Sequence, residues 1–360
     1  MQSLDKTLVK EALKKLDSTP FFFSGPEPTA KSLEDWTITH VKYLAEKLQP
    51  DDLYALLTLL VAIAAHKKTS ITPNIGQMAN VQLFCKTDGL LQEVLALCCQ
   101  TENAESDQCE ILSLANKSLL HKTSDDIKTS LSELMRDGYT VCPHRLPCRL
   151  IEQLLVYPGP STSEWNLIYD DESTANCSEF DSNSPPIGCI RASTALDKNS
   201  GVISAIASDP ALTLLLKSYL GATPRLLSAR LAYSYKSERA IPSSEAAQLF
   251  HYDLDTLRWI KVFIYCSDVT DETGPHCAVL GSQLPGSKSA SLLARGYARI
   301  SDADIFSQHP LLIIKTFTGD RGTVILGDTR CYHKGMPLQS GERVLCQLLF
   351  STNSFAQTLA

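Results

Sequence analysis

The run Trp259-Ile260-Lys261-Val262-Phe263-Ile264-Tyr265-Cys266-Ser267, the turn Asp271-Glu272-Thr273-Gly274 and the short run Cys277-Ala278-Val279-Leu280 set the character of the C-terminal half. β-Branched and aromatic residues crowd the first run, and turn-forming residues separate it from the next. The pattern continues outward into Leu226–Tyr235, Leu312–Phe317, Gly322–Leu326 and Arg343–Phe350. Pro285-Gly286, Thr318-Gly319-Asp320 and Gln339-Ser340-Gly341 divide these runs. Several short strands with few helices between them predict an antiparallel sandwich or barrel.

Upstream, the period is helical. Apolar residues recur at helical spacing in Leu4–Leu16, Trp36–Leu48, Leu53–Ala65, Leu90–Cys99 and Glu110–Leu120. Pro50 marks a helix start, and Asp51-Asp52 supply anionic caps. Leu53–Ala65 is too short to cross a bilayer and ends in His66-Lys67-Lys68, so it reads as a buried helix. Met1–Lys15 reads as an amphipathic helix, not as a signal peptide. Ser124–Arg136 is a further helix, stopped at Asp137-Gly138 before Tyr139-Thr140-Val141, and Arg149–Val156 is a shorter one. The segment 157–187, rich in Pro, Ser, Asp and Asn, reads as a long loop of the kind that forms lids or binding loops. The expected organisation is α+β: a helical region over 1–123 and a β-rich domain over 124–356.

Composition narrows the partners. The 360 residues are 44% hydrophobic and 20% charged, which specifies a folded chain. Lys plus Arg number 33 against 40 Asp plus Glu, a net charge of -7. That balance argues against nucleic acid and against an anionic membrane surface, leaving a small molecule or a protein as partner. Twelve Cys without a CxxC pair are expected to be reduced and mostly buried, in a cytoplasmic setting. Cys142, His144 and Cys148 lack a fourth ligand at zinc-site spacing.

The chemistry gathers elsewhere. In His251-Tyr252-Asp253, ahead of the strand at Trp259, residues i and i+2 of an extended segment point the same way. An imidazole and a carboxylate thus face one point. His333 follows a later strand. Two His and one carboxylate on one side of a metal leave the other side open, the ligand set suited to non-haem Fe(II). Arg343 opens the next strand and offers a planar fork for a carboxylate.

These residues sit in a wider pattern. His251-Tyr252-Asp253, Lys261-Val262-Phe263-Ile264-Tyr265, Asp268-Val269, Thr273-Gly274-Pro275-His276 and Gly281-Ser282 resemble the core of the phytanoyl-CoA dioxygenase family. So do Gly327-Asp328-Thr329, His333-Lys334-Gly335 and Gly341-Glu342-Arg343, and the domain opening at Arg136–Val141. The likeness covers roughly residues 125–355. It implies a double-stranded β-helix of the jelly-roll or cupin type that uses Fe(II), 2-oxoglutarate and O2. It also implies His251, Asp253 and His333 as iron ligands and catalytic centre, with Arg343 holding the distal carboxylate of 2-oxoglutarate. Phe263 falls where the family lines the co-substrate pocket with an aromatic side chain. Lys261 and Tyr265 share its face by alternation. Either they serve as pocket ligands or the strand is simply half-buried, with Lys261 in an ion pair. Tyr233, on the preceding strand, is a further pocket candidate. The chain departs from the family at Gln283, where a His often follows Gly-Ser, and at Gly335, which carries no hydroxyl. His276 matches a structural turn.

The activity so implied is hydroxylation of an unactivated C–H bond of a small molecule, coupled to decarboxylation of 2-oxoglutarate to succinate and CO2. Asp253 fills the site a halide would need, so hydroxylation is favoured over halogenation. The other readings are a cupin-type metal enzyme without 2-oxoglutarate, a non-catalytic ligand-binding module, and a protein hydroxylase. Selectivity is assigned to 157–187 and 282–307, which carry no cluster of Arg and Lys.

Overall fold

The computed structural model describes residues 50–89, 92, 117–156, 164–239, 242–308, 314–352, 354 and 355. The helices expected at Leu4–Leu16 and Trp36–Leu48 lie outside them, as do Leu90–Cys99 apart from Gln92 and most of Glu110–Leu120. Residues 117–120 are turn and bend, not helix. There the Ser118 hydroxyl and the Leu119 amide donate to Asp209, which spends its carboxylate capping a later helix.

Helices α1 (Pro50–Thr69) and α2 (Asn74–Thr87) come first. Gly76 on α2 abuts Ala62 on α1 so closely that no side chain fits between them. Helix α3 (Ser124–Asp137) starts at a reciprocal capping box between Thr123 and Asp126 and ends at Gly138, whose φ of 76° suits glycine. A Cβ on Gly138 would lie 2.7 Å from both Cys331 Sγ and Gln283 Oε1. The chain then forms β1 (Tyr139–Val141), α4 (Cys148–Val156), β2 (Trp165–Tyr169), β3 (Thr174–Cys177) and β4 (Cys189–Ala195). Helices α5 (Gly201–Ala207) and α6 (Pro210–Leu220) precede β5 (Arg225–Tyr235), β6 (Trp259–Tyr265) and β7 (His276–Val279). The short helices α7 (Ala290–Leu293) and α8 (Asp302–Gln308) are followed by β8 (Ile314–Phe317), β9 (Val324–Gly327), β10 (His333–Gly335) and β11 (Glu342–Ser351).

An eight-stranded sheet runs β1-β9-β6-β11-β5-β4-β2-β3, and a three-stranded sheet runs β10-β7-β8. All their pairings are antiparallel, as the late strands predict. Strand β6 explains why both faces must be covered: its seven residues are all buried. Ile260, Val262 and Ile264 pack with Leu212, Leu215 and Leu216 of α6 and with Ile151 and Leu154 of α4. Burying each such side chain contributes about 1.5–3 kcal/mol. On the other face, Phe263 and Tyr265 join Ala278 of β7 and Phe317 of β8, tying the two sheets together.

Two expectations need correction. The segment 157–187 is not one loop: within its described part, β2 and β3 pair as a hairpin, and β2 also pairs with β4. Leu167 and Ile168 anchor it on the two faces, although the flanking residues are polar. The segment 282–307, expected as an irregular stretch between strands, contains α7 and most of α8.

Candidate metal centre and its cavity

His251 and His333 are brought together by the backbone before any side chain is considered. The His251 amide donates to the His333 carbonyl at 3.0 Å, and the His333 amide donates back at 2.8 Å. The Asp253 amide donates to the Thr329 carbonyl at 2.8 Å, and Trp259 Nε1 donates to Thr329 Oγ1 at 2.8 Å. The H-x-D segment is thus laid along 329–333, eighty residues away in sequence. Tyr252, pointing the opposite way, stacks on Phe84 of α2 at 5.0 Å between ring centroids, so α2 backs the site.

The ring orientations follow. His251 Nδ1 lies 2.9 Å from the Leu249 carbonyl and His333 Nδ1 lies 3.0 Å from the Cys331 carbonyl. A carbonyl only accepts, so each Nδ1 carries the hydrogen and each Nε2 presents a lone pair. Those Nε2 atoms lie 3.8 Å and 3.3 Å from the Asp253 carboxylate. One donor atom from each of the three residues falls within 4.8 Å of the others. Metal-binding histidines are commonly fixed by such a bond from the far ring nitrogen.

The electrostatics suit ligation. Burial, then the neighbouring His333, pushes His251 down to about 3, so its imidazole is neutral at physiological pH. Burial would raise Asp253, but the adjacent Lys261 ammonium overrides it and holds the carboxyl well below the usual range. Lys261 Nζ lies 2.6 Å from Asp253 and 2.8 Å from Asp255. Burial opposes its charge, yet the two carboxylates raise its pKa. Lys261 therefore stands in an ion pair beside the donor set, and Asp255 extends the alternation of His251 and Asp253.

Arg343 is buried, 9% exposed. It donates to the Gly274 carbonyl and to Ser234 Oγ, while its Nε has no partner. Among the described residues no carboxylate pairs with it. A Cβ on Gly335 would lie 3.2 Å from Arg343 Nη2, so the bare glycine leaves space beside the guanidinium.

A cavity of about 1010 Å³ joins these groups, bordered by His251, Asp253, His333, Arg343, Phe263 and Lys261. Its size is at the upper end for a drug-sized ligand. Tyr265 and Tyr233 do not border it. The Tyr265 hydroxyl donates to the Phe317 carbonyl and accepts from the His276 amide. Tyr233 faces the opposite side of β5, beside Trp165 and Phe180. Its neighbours Ala232 and Ser234 take the cavity side by strand alternation. Tyr233→Phe is accordingly expected to leave metal and 2-oxoglutarate affinity within about twofold, as titration calorimetry would measure.

His276 borders the cavity as well, its Nε2 3.1 Å from the Tyr139 hydroxyl. Burial, then His333 and Arg343, holds it well below the ordinary histidine range. Gln283 donates to the carbonyls of Met135 and Arg136 and accepts from Cys331 Sγ, which fastens the end of α3 to the segment that carries His333. Cys142, His144 and Cys148 form no metal cluster among the described residues; His144 Nε2 lies 3.6 Å from Asp126. Asp255, Ser234, Tyr297, Arg191 and Arg299 also border the cavity, and the sequence motifs do not include them. Strand alternation is the signal that could have found the first two, whereas Arg191 lies on β4, which carries little strand signal.

The described cysteines are all free, and no helix among the described residues is long and apolar enough to cross a membrane.

No protein-family model matches the sequence, and no curated protein sequence matches it. The chain is similar in structure to the epimerase SnoN, solved in complex with Fe3+, alpha ketoglutarate and nogalamycin RO (15% identity, 62% of this chain and 83% of that one, TM-score 0.43). It is similar also to EctD from S. alaskensis with bound Fe (17% identity, 65% and 80%, TM-score 0.42). A third likeness is to the non-heme alpha ketoglutarate dependent carbocyclase SnoK from nogalamycin biosynthesis (13% identity, 64% and 87%, TM-score 0.43). At these identities and TM-scores the likeness assigns neither a family nor an activity to this chain.

Proposed function

We propose that this chain is an Fe(II)- and 2-oxoglutarate-dependent dioxygenase of the phytanoyl-CoA dioxygenase type, built on a double-stranded β-helix. Its reaction is hydroxylation of an unactivated C–H bond of a small molecule, with decarboxylation of 2-oxoglutarate to succinate and CO2. One observation carries the reading: a single cavity holds three convergent donors and, separately, a buried guanidinium with no carboxylate beside it among the described residues.

Each part has a role in the chemistry. His251, Asp253 and His333 would hold the metal, through two Nε2 lone pairs and an ionised carboxylate. Fe(II), when bound with 2-oxoglutarate and O2, supplies the oxidising power for an inert C–H bond. Arg343 and Ser234 would receive the distal carboxylate of the co-substrate, and the buried Nε of Arg343 has a free hydrogen to give it. Phe263 shields that pocket from water. Lys261 orients Asp253 and balances its charge together with Asp255.

Calorimetric titration of Zn(II)-loaded protein with 2-oxoglutarate tests the role of Arg343. Arg343→Ala is expected to weaken binding roughly tenfold to a hundredfold, the worth of a charge-assisted hydrogen bond to a carboxylate. Zinc affinity should not move. Equal 2-oxoglutarate affinity in wild type and variant would remove Arg343 from the co-substrate site.

A further inference from the structure

The same cavity is basic in a chain whose net charge is -7. Arg191, Arg230 and Arg299 border it in addition to Arg343, and Glu245 is the acidic residue at its edge apart from Asp253 and Asp255. No single sequence segment carries this cluster, because it is assembled from β4, β5 and the stretch after α7.

Arg191 is the inner member. It pairs across the sheet with Ser234, and Ser234 pairs with Arg343, so the two arginines flank one serine in a row over β4, β5 and β11. Arg191 is half-buried where it borders the cavity, while Arg230 and Arg299 are exposed at the mouth. The side chains of the three make no hydrogen bond or ion pair with a described residue, although the Arg191 carbonyl accepts from Cys189 Sγ. Arg191 is crowded by cations: burial, then Arg343, Arg230 and Arg299, pushes it down to about 10. Arg330, by contrast, meets its buried carboxylate, Asp328, at once. A guanidinium withdrawn from water without a counter-ion is costly unless a ligand supplies one.

We infer that Arg191 receives an anionic group of the substrate, a carboxylate or a phosphate, and that Arg230 and Arg299 draw it into the mouth. The inference rests on the cavity being the substrate chamber of the proposed oxygenase. The planar fork matches either anion in a bidentate manner, and a cleft of one sign raises the encounter rate with oppositely charged ligands.

Full-length protein loaded with Zn(II) and saturated with 2-oxoglutarate, so that Arg343 is engaged, is titrated with benzoate, phenyl phosphate and neutral benzamide. At least one anion should bind more tightly than benzamide, and which one does separates carboxylate from phosphate. Arg191→Gln should weaken that anion roughly tenfold or more and leave benzamide unchanged. Arg191→Lys should recover part of the loss. Arg299→Gln, at an exposed position, should lower anion affinity and its salt dependence, and serves as the second reading if Arg191→Gln does not fold. Benzamide binding as tightly as both anions overturns the assignment, as does anion affinity unchanged in both glutamine variants. Failure of the oxygenase reading has its own signature: wild-type Zn(II) protein that does not bind 2-oxoglutarate.

Discussion

Replacing His333 with alanine is expected to weaken Fe(II) binding by more than roughly a hundredfold, and to stop turnover of 2-oxoglutarate with it. His333 and His251 each present an Nε2 lone pair because a backbone carbonyl holds Nδ1–H, and reciprocal amide bonds lock the two segments together. Removing one of three donors leaves an imidazole and a carboxylate, which hold Fe(II) only weakly. Loss of an outer partner alone typically costs tenfold to a hundredfold in metal affinity; loss of a ligand should exceed roughly a hundredfold. Anaerobic dialysis against Fe(II), followed by metal analysis, measures it. His144→Ala, at an exposed histidine remote from the cavity, should bind iron as wild type does. Retention of iron by His333→Ala would remove His333 from the donor set.

Asp328→Ala carries the largest expected effect on stability. Asp328 is fully buried, accepts from Arg330 Nε and from the Tyr219 hydroxyl, and sits beside Thr329, whose carbonyl takes the Asp253 amide. The variant strips the buried Arg330 of the carboxylate that neutralises it, a change that costs about 3–5 kcal/mol. Urea unfolding followed by circular dichroism should show that loss, and Fe(II) affinity should fall because the 329–333 segment shifts. A loss below about 1 kcal/mol would contradict the account. The pH dependence has a defined sign. Burial would raise the Asp328 pKa, but Arg330 and Tyr219 lower it below the ordinary carboxylate value. Its contribution is therefore complete at neutral pH and fades as acid takes the solution below about pH 3.9, where the unfolded carboxylate gains its proton.

The residues that could be read were those whose pattern is local. Strand β6 announces itself because both faces are buried, giving an unbroken apolar run in which only Lys261 is charged. His251 and Asp253 share a direction because an extended chain alternates. Tyr233 lies on the right strand for the pocket, but its parity is odd relative to Ser234, and the adjoining Trp165 and Phe180 occupy that outer face. Short length hides the hairpin β2–β3, and the small and polar residues of β4 hide that strand and Arg191 with it. Asp255 was legible as the next member of the His251–Asp253 alternation. The convergence of Arg191, Arg299 and Arg343 depends on strand order and on the path after α7, which no local pattern encodes.

The central claim is that His251, Asp253 and His333 hold Fe(II) while Arg343 anchors 2-oxoglutarate beside it. Its most direct test is the visible metal-to-ligand charge-transfer absorption on adding Fe(II) and 2-oxoglutarate to the protein without oxygen. A band in wild type that is absent in His333→Ala and appears only at higher 2-oxoglutarate in Arg343→Ala is the predicted result. Wild-type protein that binds iron normally yet shows no band would contradict it.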